Sequence, residues 1–223
     1  LLGERQRETA PAKAMVSVSC PEEPGTVLKG SRFWASDIPF ETCDSRYLET
    51  TLPGRFLVTE PGQEKKSGSV YQPGAGSRHI RMFGSKAETG TSFWIGFSSG
   101  LKKGEEHRLY FRMFHGYQVP RNPIPVQGEV DGPCSFSFVP LASVTAEYFY
   151  EGEFRPVEWY RDGTYQFLED GFFCFRLEKD MEPDEDGWYW IRFTLREAAY
   201  DVVPVLDEVS FHELEVRQMR TIS

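Results

Sequence analysis

The feature that most limits the fold is a recurring short segment, rich in aromatic or β-branched residues and closed at its ends by Gly, Pro, Asp or Ser. AMVSVSC, GRFLVTE, SFWIGF, HRLYFRMF, CSFSFVPL, TAEYFYEG, GFFCFRL, GWYWIRFTL and ELEVRQM repeat it along the chain. Such segments read as strands. The only helical pieces on offer are LLGERQRE at the start and a turn around LREAAY, and neither has the repeated apolar spacing of a core helix. The expected fold class is all-β.

Within CSFSFV, Phe136 and Phe138 alternate with Ser135 and Ser137, so rings take one face of a strand and hydroxyls the other. GWYWIRF differs, because both faces are apolar: Trp188, Trp190 and Arg192 share one, Tyr189, Ile191 and Phe193 the other. A strand of that kind belongs inside a sandwich or beneath a partner. Turns are marked by Glu151-Gly152, by Asp170-Gly171, and by Asp162-Gly163, a dipeptide suited to the positive φ angles of a tight hairpin. Asp162 and Asp170 are read as turn residues whose short carboxylates hydrogen-bond their own backbone.

With 223 residues, 39% of them hydrophobic and 15% aromatic, the chain can bury two cores. The run EPGQEKKSGSVYQPGAGSRH, rich in Gly, Ser, Pro and charge, is the expected boundary, placed near Pro73. That gives a small N-terminal β domain over residues 1–72 and a larger antiparallel, jelly-roll-like β-sandwich over residues 73–223. Beginning at Leu1 rather than Met, the chain is expected to be a segment of a longer protein or one whose start was removed. Cys20, Cys43, Cys134 and Cys174 lie far apart without a CxxC pair and are expected to be reduced, structural thiols.

An excess of 34 acidic over 25 basic residues, a formal charge of -9, opposes attraction to phosphate backbones, so nucleic acid is not an expected partner. No apolar run is long enough to cross a bilayer, and no membrane insertion is expected. Motifs that carry chemistry are sparse. His79, His107, His115 and His212 lack the spacing that brings two imidazoles onto one helix face, and HEL at His212 has Val216 where a zinc protease needs its second His. There is no GxSxG elbow. Asp180, Asp184 and Asp186 in EKDMEPDEDG are candidates for calcium, but the run lacks the central Gly and closing Glu of a calcium loop and reads more simply as a solvated loop. A glycosidase would need two carboxylates across a cleft, for which Glu158, Glu169 and Asp170 are the candidates. The residues point to no catalytic set, no cofactor and no metal. Trp34, Trp94, Trp159 and Trp188 remain as candidates for an interaction surface or for stacking on sugar rings.

A resemblance gathers these segments. LLGERQRETAPAKAMVSV, then GTVLKGSRFWA and IPFET, resembles the middle region of the baseplate assembly (wedge, baseplate J-like) proteins of contractile phage tails and contractile injection systems. The matching residues are Leu1, Leu2, Gly3, Pro11, Ala12, Gly30, Phe33, Phe40, Glu41 and Thr42. FWIGFSSGLKKGEEHRLYFRM continues the likeness through Ile95, Gly96, Phe97, Leu101, Gly104, Leu109 and Phe111. AEYFYEGEFRPVEWYRDGTYQFLEDGFFCF does so through Glu147, Tyr148, Gly152, Phe154, Asp162, Thr164, Phe167 and Gly171. The endings YWIRF and YDVVPVLDEVSFHELEVRQ add Tyr189, Trp190, Ile191, Arg192, Pro204, Leu206, Val209, Val216 and Gln218. Ala146 and Phe154 stand where the family often has Trp, and His212 where it often has Asn. The resemblance implies a structural, non-enzymatic role: a rigid β-rich spacer whose partners are other baseplate and tail proteins. It also implies assembly in the cytoplasm and residence in a phage-tail-like particle. The alternative is a carbohydrate-binding β-sandwich that uses surface Trp and Tyr on a glycan.

Overall fold

The structure, a computed structural model, describes residues 11–19, 21–71, 79–116 and 142–219. The chain runs through β1 (Lys13–Ser17), β2 (Gly25–Val27), β3 (Arg32–Ala35), β4 (Ile38–Thr42), β5 (Arg46–Leu48) and β6 (Pro53–Thr59). A 3₁₀ turn, Lys65–Ser67, precedes β7 (Ser69–Tyr71), β8 (Ile80–Arg81), β9 (Ser92–Phe97) and β10 (His107–Met113). Then come β11 (Ser143–Tyr150), β12 (Glu153–Pro156), β13 (Trp159–Asp162), β14 (Gly171–Arg176), β15 (Tyr189–Glu197), β16 (Val205–Ser210) and β17 (Glu213–Gln218). Every strand pair among the described residues is antiparallel. The all-β expectation holds. LREAAY enters β15 and leaves it without a helix, while LLGERQRE, CSFSFVPL, Cys20, Cys134 and Pro73 lie outside the described residues.

The chain divides into two compact units, Leu1–Thr50 with His212–Ser223, and Thr51–Phe211. In the smaller unit β17 lies between β1 and β4, in a sheet ordered β1-β17-β4-β3, with β2 and β5 as a separate pair. Val216 faces Ala14 on one side and Thr42 on the other. Buried Leu48, Leu214 and Val216 form the centre of this unit, and Val16, Val18, Val27, Phe33 and Phe40 pack around them. The last described strand therefore completes a sheet begun by the first. The expected division at residues 72 and 73 is corrected by this pairing. β6 and β7 precede Pro73 yet belong to the larger unit: Phe56 faces Tyr71, and β6 continues onto β9. Much of the Gly-, Ser- and charge-rich run is the loop of the β6–β7 hairpin, since turn residues mark hairpins and linkers alike.

The larger unit is a sandwich of a five-stranded sheet, β13-β14-β10-β16-β8, and a six-stranded sheet, β12-β11-β15-β9-β6-β7. Alternation along each strand decides what meets between them. Phe93, Ile95 and Phe97 of β9 and Ile191, Phe193 and Leu195 of β15 point inward, against Leu109 and Phe111 of β10 and Phe173 and Phe175 of β14. Phe193 meets Phe111, Phe167 and Phe173 edge to face, at centroid separations of 5.8, 5.2 and 5.1 Å. Edge-to-face contact sets the positive rim of one ring on the negative face of another. These three contacts make Phe193 the junction of the two sheets.

Two turns behave differently. Glu151-Gly152 closes the β11–β12 hairpin with φ of 51° and 80°, the left-handed pair a tight turn requires. Asp162-Gly163 does not make the expected hairpin. Instead, positive φ falls on Tyr165, Gln166 and Phe167, at 52°, 61° and 64°. Left-handed backbone is unfavourable for residues bearing a Cβ, and here it is held from several sides. Asp162 accepts hydrogen bonds from the backbone N–H and hydroxyl of Thr164 and from the backbone and side-chain N–H groups of Gln166, at 2.6 to 2.9 Å. Tyr200 donates its hydroxyl to the Gln166 carbonyl, and Phe167 is buried in the core. Gly171 is obligatory beside this loop, because a Cβ there would lie 2.2 Å from the Gly163 carbonyl oxygen. Asp170, expected to serve its own turn, reaches β10 instead and accepts from Met113 N–H at 2.7 Å.

Phe193→Ala is expected to lower unfolding stability by about 3–5 kcal/mol in urea titrations, with Phe193→Leu costing clearly less. Equal small losses for both would place the junction elsewhere.

Candidate functional site

The side of β15 turned away from the core is not open either. Leu57, Trp94 and Trp190 are buried there under Phe149, Phe154 and Trp188, making a second apolar layer on the six-stranded sheet. Trp94 meets Phe154 and Trp190 edge to face at 4.8 and 6.0 Å. The rings fit because the backbone beneath them is bare: a Cβ on Gly96 would lie 2.9 Å from Trp190, and one on Gly54 would lie 3.0 Å from Trp188. Cations lie over this layer. The Arg192 guanidinium stands 4.0 Å from the Phe154 ring centroid and 5.3 Å from that of Trp94, and is paired with Glu147 at 2.9 Å. Arg55 stands 5.5 Å from the Trp188 centroid. Cation–π attraction gains from the low local dielectric of such a layer.

A groove of about 520 Å³ opens on the same face, between the Lys65–Ser67 turn and the loop leading into β15. Arg55, Lys65 and Lys66 lie on its wall with Glu64, Glu185 and Asp186, and Trp190 and Leu57 contribute apolar surface. Asp184 lines it as well. One carboxylate oxygen, Oδ1, accepts the backbone N–H groups of Asp186 and Trp188, both at 2.9 Å. The other, Oδ2, accepts Trp190 Nε1–H at 2.6 Å and contacts Lys65 Nζ directly. The Asp184 side chain is only 9% exposed and that of Lys65 29%. Burial pushes the Lys65 ammonium below the ordinary lysine range, against the pull of the Asp186 and Glu185 carboxylates. Lys65 Nζ also lies 4.6 Å from the Trp190 ring centroid.

The four tryptophans read from the sequence are not one platform. Trp94 is buried at 6% exposure, with its Nε1–H donated to Thr59 Oγ1, so no ring face is left for a sugar; that candidate is corrected. Trp188 is half-buried across Gly54 and Gly96 beneath Arg55. Trp159 is exposed on β13, the end strand of the opposite sheet, with Arg176 over one face at 5.0 Å. Trp34 is exposed on β3 of the smaller unit.

The carboxylate candidates also separate. Asp180 accepts Lys103 N–H at 2.8 Å and pairs with Lys102, whereas Asp184 is enclosed by N–H donors, and Asp186 is exposed near Lys65. Among the described residues no three His, Cys, Asp or Glu side chains are grouped as a metal site. Asp170 also takes His115 Nε2 at 3.0 Å, while Glu158 is exposed and Glu169 half-buried. His107 and His212 are buried, with Nε2 at 2.7 Å from the carbonyls of Lys102 and Glu49. Cys43 and Cys174 are free thiols, and burial raises Cys43 above the ordinary thiol range. No helix among the described residues is long and apolar enough to cross a membrane.

Sequence reading missed Lys65, Asp184 and the Arg192–Glu147 pair as organising groups. One signal was present: a buried Trp needs an acceptor for its Nε1–H, and EPDEDGWYW offers Asp184 a few residues before Trp190. Compared with protein-family models and with curated protein sequences, the chain matches none.

Trp94→Ala is expected to cost about 3–5 kcal/mol of unfolding stability and Trp159→Ala less than about 1 kcal/mol, read by thermal or urea denaturation. Trp190→Phe keeps an aromatic ring but removes the Nε1–H donor from Asp184 along with part of the buried indole, at an expected cost of about 1–3 kcal/mol.

Proposed function

We propose that this chain is a structural, non-enzymatic region of a wedge-type baseplate subunit in a contractile tail-like particle, where it acts as a β-rich spacer and interaction region. The observation that carries the reading is the collinear set of matching residues together with the work those residues do. Gly30, at φ 81°, donates its N–H to the Thr42 carbonyl. The Thr42 hydroxyl donates to the Leu28 carbonyl at 2.7 Å and accepts Ser31 N–H at 3.0 Å. Glu41 pairs with Arg217 of β17 at 2.6 Å, and Val216 fills the smaller unit's centre. Gly96 makes room for Trp190, and Asp162 and Thr164 organise the left-handed turn. These are framework roles, as expected of an assembly component.

The topology supports the same reading. Along the sequence the larger unit interrupts the smaller one, with the chain passing between them at residues 50–51 and 211–212. Such a doubly tethered insertion suits a spacer. On this reading the subunit is assembled in the cytoplasm, joins other baseplate and tail proteins, and needs no cofactor.

A carbohydrate-binding role is the second reading, favoured by Trp159, Tyr160 and Tyr165, which are 43%, 40% and 41% exposed. Exposed rings of this kind stack on sugars or anchor protein partners.

Purification of the tagged full-length parent from its native host, followed by mass spectrometry and negative-stain electron microscopy, is expected to yield tail-tube, sheath or spike proteins in ring-shaped particles. Recovery of a lone chain with envelope glycan would overturn the baseplate role, and glycan binding lost on Trp159→Ala would establish the second reading.

A further inference from the structure

Among the described residues, lysine–carboxylate pairs are mostly open to water. Lys13–Glu215, Lys86–Glu88 and Lys102–Asp180 have lysine side chains 65, 77 and 72% exposed and carboxylates 36, 55 and 48% exposed. Lys65–Asp184 stands apart from these by its burial, with the lysine side chain 29% and the aspartate side chain 9% exposed. Burying such a pair costs desolvation that its Coulomb attraction only partly offsets. Condensing it to an amide removes both charges.

We propose that Lys65 and Asp184 form an intramolecular isopeptide bond, a covalent staple between the β6–β7 hairpin loop and the loop entering β15. The surroundings supply each part of the reaction. A proton passes from the Lys65 ammonium to the Asp184 carboxylate, giving a neutral amine and a carboxylic acid. The Lys65 nitrogen then attacks Asp184 Cγ. Negative charge developing on Oδ1 falls on the two backbone N–H groups of Asp186 and Trp188, an oxyanion-type site already in place. The Asp186 carboxylate, 4.0 Å from Nζ, takes the proton that the nitrogen sheds and returns it to Oδ2. The N–Cγ bond forms, the Cγ–Oδ2 bond breaks, and Oδ2 leaves as water into the adjoining groove, with Trp190 Nε1–H hydrogen-bonded to it. One ammonium and one carboxylate become one amide and one water, without oxidant, reductant or activating nucleotide. Burial, which lowers the lysine's proton affinity, favours the neutral amine that the attack requires. The product keeps Oδ1 as a carbonyl accepting the same two N–H groups. This inference is independent of the baseplate role.

Intact-mass measurement of the full chain is the test, combined with tryptic mapping. The expected result is a mass lower by one water than the sequence mass and a branched peptide joining Lys65 to Asp184. Lys65→Arg, which keeps the charge but lacks a primary amine of this kind, restores the full mass. Asp186→Asn lowers the converted fraction several-fold without displacing either reacting group. Succinimide formation at an Asp-Gly step such as Asp186-Gly187 loses the same mass, so the branched peptide decides. A cooperatively folded protein with unshifted mass overturns the proposal, as does a water loss that maps only to Asp-Gly or persists in Lys65→Arg.

Discussion

The structure of the larger unit depends on one strand that has apolar side chains on both faces and must be covered twice. β15 has Ile191, Phe193 and Leu195 on one face and Trp190 on the other, with neighbours β11 and β9 hydrogen-bonded along its length. A two-sheet sandwich covers only the first face. The second is covered by a layer of aromatic rings and cations, made possible by two glycines that let indoles lie on the backbone. The five-stranded sheet, the aromatic outer layer, the Asp184 knot and the groove all follow from satisfying those two faces at once.

Much of this was legible in the sequence. The alternation in GWYWIRF predicted which residues share a face, and the faces are those observed. Short strands bounded by turn residues predicted the fold class. What could not be read was pairing at long range. β17 completes a sheet with β1, and β6 joins β9, because of registers that no local pattern records. The boundary near Pro73 failed for that reason. Asp162-Gly163 misled differently: the dipeptide fits a tight hairpin, but Phe167 is drawn into the core, and three residues are left-handed in consequence. The tryptophans show the same limit, since composition cannot tell Trp94, buried under Phe154, from Trp159, exposed on a sheet edge.

The aromatic surplus that first suggested a glycan platform is largely consumed internally. Phe193, Phe111, Phe167 and Phe173 join the sheets, and Trp94, Trp188 and Trp190 coat the outer face. Arg192 and Arg55 use those rings as cation–π seats rather than leaving them to a ligand. This covering of its own sheets is the physical feature on which the proposed structural role draws.

Amide hydrogen exchange along β15 tests the double covering most directly. With both layers in place, amides of residues 189–197 that bond to β9 and β11 exchange only through global unfolding, far more slowly than those of the outer strands β12 and β13. Exchange in β15 as fast as in β12 or β13 would contradict it, and would mean that one face of the strand is bare in solution.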